Sequence, residues 1–429
     1  MHHFSLQDGD LFVEGCRVSD IAREHGSPLY IYSAATITDN YDALMKALAP
    51  LDPMICFAMK ANSTLAVLNL LAKRGCGFDL VSGGELFRVK KAGGASHRCT
   101  FAGVGKTRAE IEQAILAGVY SFNVESVAEM ETINRIAGEM KQRAPVAVRV
   151  NPNVDAGTHA KITTGTYENK FGIAFEEVPS LYEYAASSLK NLELRGVQMH
   201  IGSQITETAP FVKAIQKMLP MVKELKRKHD IKFFDIGGGM GIVYQDALAS
   251  GKPDWWKQHP EQMTPATYAA AVVPLLKDLG LRILLEPGRF LTGNSGILVT
   301  EVLYVKNTGA KNFAIVDAAM NDLIRPAFYD SYHEIIPLTA NREGADKLVA
   351  TDVVGPVCES GDYFTKDRML PVLRAGDKVA LMSAGAYGFV MSSNYNTRPR
   401  PPEILVHGNK ATTVRKREAF EDLVRGESI

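Results

Sequence analysis

The chain has 429 residues, more than one ordinary hydrophobic core supports and enough for two domains. Its 48 Lys and Arg balance 48 Asp and Glu, which excludes the basic footprint of a nucleic-acid binder. A hydrophobic content of 46% excludes extended disorder, and no apolar run reaches the roughly 18 residues a membrane helix needs.

The chain opens Met1-His-His-Phe-Ser-Leu-Gln-Asp-Gly-Asp10, without the basic end and apolar stretch of a signal peptide. Leu11-Phe-Val13 and Leu29-Tyr-Ile-Tyr32 are strand-like and predict an N-terminal contribution to a β-rich domain. From about residue 55 to 290, short apolar runs alternate with amphipathic stretches. The runs are Ile55–Lys60, Gly77–Val81, Cys99–Gly103, Tyr120–Asn123, Val146–Val150, Gly196–His200, Phe233–Ile236 and Ile283–Glu286. Between them, Thr64–Arg74, Arg108–Ala117 and Ser126–Met140 predict helices, with an N-cap at Glu125-Ser126. Eight strand–helix repeats imply right-handed crossovers and a parallel sheet; their number and length fit a TIM-like (β/α)8 barrel better than an open doubly wound sheet. After residue 290, Gly296–Val305, Phe313–Asp317, Leu348–Val354 and Lys378–Leu381 read as strands with few helices between them, an all-β domain of sandwich or Greek-key type. Pro399-Arg-Pro-Pro402 reads as a short rigid connector. The expected boundaries are 33–290 for the barrel, and 1–32 with 291–429 for the β domain. Cys16, Cys56, Cys76, Cys99 and Cys358 are odd in number and lack metal-type pairing; they read as reduced thiols of a cytoplasmic protein, with no metal site.

Barrel chemistry gathers where the strands end. The ends here are Lys60, Asp79, Asn123, Arg149, His200, Asp235 followed by Gly237-Gly-Gly239, and Glu286. Taken singly, each is a solvated loop residue; on one barrel mouth they converge. Gly103-Val-Gly-Lys106-Thr107 resembles the end of a P-loop, but Thr100 stands where the pattern needs glycine. Gly237-Gly-Gly239-Met-Gly241-Ile242 has Ile in place of the third glycine of a dinucleotide fingerprint. The triple glycine is then either a tight turn or a loop that lets the backbone approach a phosphate. A phosphate, a lysine after an apolar run and a facing carboxylate suggest pyridoxal phosphate. Lys60, partly desolvated by Ile55–Met59, suits a Schiff base, Glu286 the pyridine nitrogen, and His200 the ring face.

Several stretches carry a resemblance over nearly the whole chain: Phe57-Ala-Met-Lys60-Ala-Asn62, Phe78-Asp-Leu-Val-Ser-Gly-Gly-Glu85, Lys170-Phe-Gly172, His200-Ile-Gly-Ser-Gln204, Asp235-Ile-Gly-Gly-Gly239, Glu286-Pro-Gly-Arg289, Asn321-Asp-Leu-Ile-Arg-Pro326 with Tyr329, Cys358-Glu-Ser360 and Ala386-Tyr-Gly388. In order and spacing the chain resembles the diaminopimelate decarboxylase family, within the alanine-racemase-like (fold type III) pyridoxal phosphate enzymes. The resemblance implies a pyridoxal phosphate cofactor, with Lys60 as the Schiff-base lysine, His200 stacked on the ring and Glu286 at the pyridine nitrogen. It places Ser203, Gly237, Gly238, Gly239, Gly288 and Tyr387 at the phosphate, with Asp79, Arg149, Pro287 and Arg289 also lining the cofactor. It implies that Arg289, Arg325, Tyr329, Glu359 and Tyr387 contact the substrate, meso-diaminopimelate. Cys358 is implied as the general acid, supplied by the neighbouring subunit of a homodimer. Asn169 and Ala319 depart from the family pattern, where Ser and Gly are expected. The stretch 161–170 is the candidate for a loop closing over substrate.

The residues themselves support the substrate end. A thiol suits protonation of the carbon left by decarboxylation, and Cys358 is the one cysteine of the C-terminal β region, although a buried structural cysteine is the common fate of a free thiol. Diaminopimelate carries a carboxylate and an amine at its far end; Arg325 can take the first in bidentate fashion and Glu359 the second. An ornithine or arginine decarboxylase would leave Arg325 unmatched, and a carboxynorspermidine decarboxylase is the nearer rival. A racemase would need a second base. A catalytically dead cofactor-binding relative would be expected to have lost Lys60, Cys358 or Arg289, and all three are present.

Overall fold

The computed structural model describes residues 1–154, 170–340 and 346–429; Asn169, and all of the candidate closing loop except Lys170, lie outside the described residues. The chain divides into two compact units. One is Asn40–Gly241 with Pro260–Phe290, the other Met1–Asp39 with Ile242–His259 and Leu291–Ile429.

The first unit is a closed parallel barrel. Its strands are β1 (Met54–Ala58), β2 (Gly77–Leu80), β3 (Cys99–Phe101), β4 (Ser121–Val124), β5 (Ala144–Asn151), β6 (Leu192–Met199), β7 (Phe233–Asp235) and β8 (Arg282–Leu285). Each pairs in parallel with the next, and β8 returns to β1 with Leu284 opposite Met54. All five residues of β1 are buried, because a strand enclosed on both faces must be apolar throughout. Helices α1 (Leu65–Ala72), α2 (Gly83–Lys91), α3 (Arg108–Ala117) and α4 (Val127–Glu139) follow the first four strands. The expected N-cap is present: Ser126 accepts a hydrogen bond from the Glu129 N–H and starts α4. Met54, Cys56, Ala147, Phe233 and Leu284 form an apolar layer inside the barrel. Gly196 admits the Phe233 ring, which a Cβ there would meet at 2.7 Å. Further along the same strands the buried side chains turn polar, at Asp79, Asn123, Arg149, Gln198 and Asp235.

The second unit is built on a long strand, Gly296–Asn307, which pairs antiparallel with Leu29–Ser33, Asn312–Val316 and Lys378–Leu381. Glu403–His407 then joins the far edge of Leu29–Ser33 in parallel. Alternate residues feed two cores: Tyr30, Tyr32 and Leu298 enter one, while Leu29, Ile31, Ile297 and Val299 enter the other. Burial on both faces explains why these strands read as unbroken apolar runs. Phe4–Gln7, Asp10–Val13 and Cys16–Arg17 form a separate small sheet. The division differs from the expected boundaries in two places. Residues 33–39 group with the β-rich unit, and so do residues 242–259, which the 33–290 span places in the barrel. The reason for the second is packing: Ala247 enters a β-rich core, and its carbonyl receives the His2 ring at 2.6 Å.

Tyr32 is fully buried and donates its hydroxyl to Glu403 at 2.8 Å. Tyr32→Phe is expected to cost about 1–2 kcal/mol and Tyr32→Ala about 3–5 kcal/mol, read as a shift in denaturant midpoint.

Candidate active site

At the polar end of the barrel, Lys60 leaves β1 in a single 3-10 turn, with its Nζ 3.5 Å from Asp79 Oδ2 on β2. The β1 residues before it are buried, but the lysine side chain is 46% exposed within the structure. The apolar run therefore anchors the strand and does not itself desolvate the amine, contrary to the reading from Ile55–Met59. Pro287 fixes the same strand end by accepting the Ala58 N–H at 3.1 Å.

Glu286 directly follows β8 and is 6% exposed. Three neutral side chains donate to it: Asn123 Nδ2 at 3.0 Å and Thr100 Oγ1 at 3.3 Å to Oε1, and Gln198 Nε2 at 2.9 Å to Oε2. These come from β4, β3 and β6, so three strands position one carboxylate. Arg149 on β5 donates to Glu125 at 3.1 Å, and the Glu125 carboxylate also takes the Gly103 and Gly172 N–H groups. His200, just past β6, accepts the Gly238 N–H through Nδ1 at 3.2 Å. Arg289 donates to Ser203 at 3.0 Å, joining two expected cofactor residues.

The glycine loop is tight. Gly237 and Gly239 have φ of 72° and 106°, and a Cβ on them would lie 2.2 Å from the Met199 carbonyl and 2.4 Å from the Gly202 carbonyl. Two of its amides have partners within the chain: Gly237 N–H donates to Asp235 at 2.8 Å and Gly238 N–H to His200. These two brace the mouth, which qualifies the expectation that successive amides point at a phosphate. Gly288 packs closely, a Cβ there lying 3.1 Å from Ala61. Lys106, from the P-loop-like motif, is buried and spent on structure. Its Nζ binds the Gly103 and Asn123 carbonyls and Glu129 at 2.6–3.0 Å.

The other expected residues stand in the β-rich unit. Arg325 opens a short helix, Arg325–Tyr329, and is 6% exposed; Tyr329 closes it, packed edge-on against Phe328. Cys358 and Glu359 lie on an exposed turn whose shape is set by Asp362, which accepts the Val357 and Met320 N–H groups at 2.7 and 2.6 Å. Glu359 receives the Tyr395 hydroxyl at 2.9 Å. Tyr387 adopts a left-handed backbone at φ 56°. Such a conformation is uncommon outside glycine, asparagine and aspartate, and it clusters at functional positions.

Thr100, Glu125, Gln198 and Tyr395 are absent from the strand-end reading. Thr100 and Gln198 lie within strands, so the inward alternation of β3 and β6 is the signal that reaches them. Glu125 directly follows β4 and is legible as a strand end.

Burial, followed by the nearby Asp235, raises Glu286 from the ordinary 4.5 to about 8; Lys60 and Arg149 oppose this. Burial likewise raises Asp79 and Asp235 to about 7. His200 keeps some surface exposure, yet desolvation and the charges of Arg149 and Lys60 push its pKa well down, so the ring is neutral. This donor set fits pyridoxal phosphate. It offers an amine, a carboxylate fixed as an acceptor, a flat neutral imidazole and buried guanidinium groups. Asp79 Oδ1, buried and without a hydrogen-bond partner, is an orphaned acceptor that a bound group would satisfy. The raised carboxyls carry a sign. Between about 4.5 and 8 the folded barrel holds protons that the unfolded chain has released, so cofactor-free protein should lose stability as pH rises through that window. Glu286→Gln should flatten the dependence. A melting temperature that climbs from about pH 5 to 8 would contradict the assignment.

The pyridoxal-dependent decarboxylase family, pyridoxal binding domain, matches residues 34–293. A curated diaminopimelate decarboxylase of Vibrio cholerae is 46% identical over 100% of this chain and 99% of its own length. That of Pseudomonas aeruginosa is 47% identical, with the same coverage. Among solved structures, diaminopimelate decarboxylase from Helicobacter pylori complexed with L-lysine superposes with a TM-score of 0.87 at 40% identity, covering 95% of this chain and 98% of that one. With a mouth that fits the cofactor and an end-to-end match, the chain belongs to the diaminopimelate decarboxylase family of pyridoxal-dependent decarboxylases.

Proposed function

We propose that this chain is a carboxy-lyase that converts meso-2,6-diaminopimelate to L-lysine and CO2, the last step of lysine biosynthesis by the diaminopimelate route, using pyridoxal phosphate. One observation carries the substrate: the likeness to diaminopimelate decarboxylases runs through the β-rich unit that holds Arg325 and Glu359, well beyond the barrel matched at 34–293.

When bound, pyridoxal phosphate supplies an electron sink for the pair left on carbon as CO2 departs. Lys60 provides the amine that carries it, with Asp79 beside that amine. Glu286, held by Thr100, Asn123 and Gln198, presents its carboxylate to the ring nitrogen, and neutral His200 offers its face to the ring. Ser203, Gly239, Gly288 and Tyr387 take the phosphate, beside the Gly237 and Gly238 amides that brace the loop, and Arg149 and Arg289 add positive charge at the mouth. At the substrate, Arg325 takes the far carboxylate and Glu359 the far amine, with Arg289, Tyr329 and Tyr387 in support. One C–C bond breaks, CO2 leaves, and Cys358 Sγ delivers the proton that forms the new C–H bond; the thiol regains its proton from solvent. Cys358 and Glu359 serve the barrel of a neighbouring copy, which makes a homodimer the working unit. The exposed turn that carries them supports this reading. A biosynthetic role supports a cytoplasmic enzyme, and no helix among the described residues is long and apolar enough to cross a membrane.

The test is an absorbance scan of the purified protein, followed by meso-diaminopimelate with lysine and CO2 assayed. Cofactor absorbance with lysine released is the expected result, and absence of the absorbance after cofactor is supplied would overturn the role of Lys60. Lys60→Ala should abolish the covalent cofactor absorbance. Cys358→Ala should slow turnover by about 10²–10⁴-fold with cofactor retained; loss of cofactor would contradict its role as proton donor. Glu359→Gln should raise KM for substrate and leave cofactor affinity unchanged.

A further inference from the structure

Within the β-rich unit, Arg325 is held by a group that no role above uses. Its Nη1 lies 2.9 Å from Nε2 of His333, whose Nδ1 lies 2.8 Å from the Met382 carbonyl. His333 is fully buried. A carbonyl only accepts and a guanidinium only donates, so Nδ1 carries the hydrogen and Nε2 the lone pair. One neutral tautomer satisfies both contacts; an imidazolium would turn an N–H against the guanidinium. The backbone locks the ring in register, because the Met382 N–H donates to the Glu334 carbonyl at 2.8 Å. Tyr244 completes the arrangement. Its ring stands edge-on to His333 at 5.6 Å, and the Arg325 guanidinium carbon lies 4.9 Å from its centroid.

We infer that His333 is a positioning residue for substrate recognition: as a neutral acceptor, it aims the Arg325 guanidinium at the far carboxylate of the substrate. The inference deepens the reading of Arg325 given above and rests on it. The chemistry of the acceptor is the point. An aspartate or glutamate at 333 would also orient the guanidinium, but it would bring a negative charge that competes with the substrate carboxylate. Histidine in this tautomer orients and adds no charge. The Tyr244 face adds attraction of the same kind, through a quadrupole.

The test uses the cofactor-loaded enzyme and the variants His333→Leu, His333→Gln, His333→Asp and Arg325→Met. For each, kcat and KM for meso-diaminopimelate are measured, along with inhibition by L-lysine and by 1,5-diaminopentane. L-lysine keeps the carboxylate that the reaction does not remove; the diamine has none. His333→Leu should raise KM and the L-lysine inhibition constant together by about tenfold or more, the scale of a lost hydrogen bond to a charged group. In the same variant, kcat, cofactor absorbance and diaminopentane inhibition should stay within about twofold. His333→Gln, which keeps an acceptor and is the more conservative change for folding, should recover most of the loss. His333→Asp should weaken L-lysine and leave the diamine unaffected. If Arg325→Met raises KM while His333→Leu and His333→Gln leave it unchanged, the inference fails and the reading of Arg325 stands. If Arg325→Met itself changes neither KM nor L-lysine inhibition, that reading fails and takes the inference with it. An equal loss of lysine and diamine binding in His333→Leu would show general loosening of the fold and would also overturn the proposal.

Discussion

A carboxylate enclosed in a parallel barrel has no water to solvate it, and Glu286 sets the terms for the mouth around it. Burial, followed by the nearby Asp235, raises its pKa to about 8, so the cofactor-free barrel holds a proton there at neutral pH. Thr100, Asn123 and Gln198 supply three hydrogen bonds from neutral donors, and those positions are available because they face inward along strands β3, β4 and β6. The apolar layer of Met54, Cys56, Phe233 and Leu284 closes the barrel interior beyond them. Polar and apolar layers together make a rigid socket whose acid–base character follows from position.

The two charged groups read as most important for recognition are held alike. Glu286 is fixed by amides and a hydroxyl, Arg325 by an imidazole and an aromatic face. In both cases neutral side chains are among the groups that orient the charge. Arg149 is oriented by a carboxylate, that of Glu125.

Much of this was legible in the chain. The eight barrel strands follow from apolar runs ending in polar residues, and Leu29–Tyr32 shows its place in the β-rich unit through its unbroken hydrophobicity. Lys60, Asp79, Arg149, His200 and Glu286 were visible as strand ends. Thr100 and Gln198 were not, because a threonine or glutamine inside a strand carries no chemical signature until the partner it faces is known. His333 was hidden for the same reason, since its significance lies in Arg325 and Met382, eight and 49 residues away. The grouping of residues 242–259 was also beyond the sequence rhythm, which registers alternation and not the core a loop enters. The exposure of Lys60 shows that an apolar run describes its strand and not the residue after it.

The placement of Leu29–Ser33 bears on how the chain emerges during synthesis. Its partners are Gly296–Asn307 on one edge and Glu403–His407 on the other, so about 370 residues are made after it before both edges are covered. The barrel residues, all made by Phe290, can assemble in that interval. A five-residue strand, buried throughout in the folded chain and mostly apolar, is with open edges the kind of segment that pairs with the wrong neighbour. The vulnerable moment for a nascent chain is therefore the interval between completing the barrel and adding Glu403–His407, and slowing translation there should favour aggregates seeded by Leu29–Ser33.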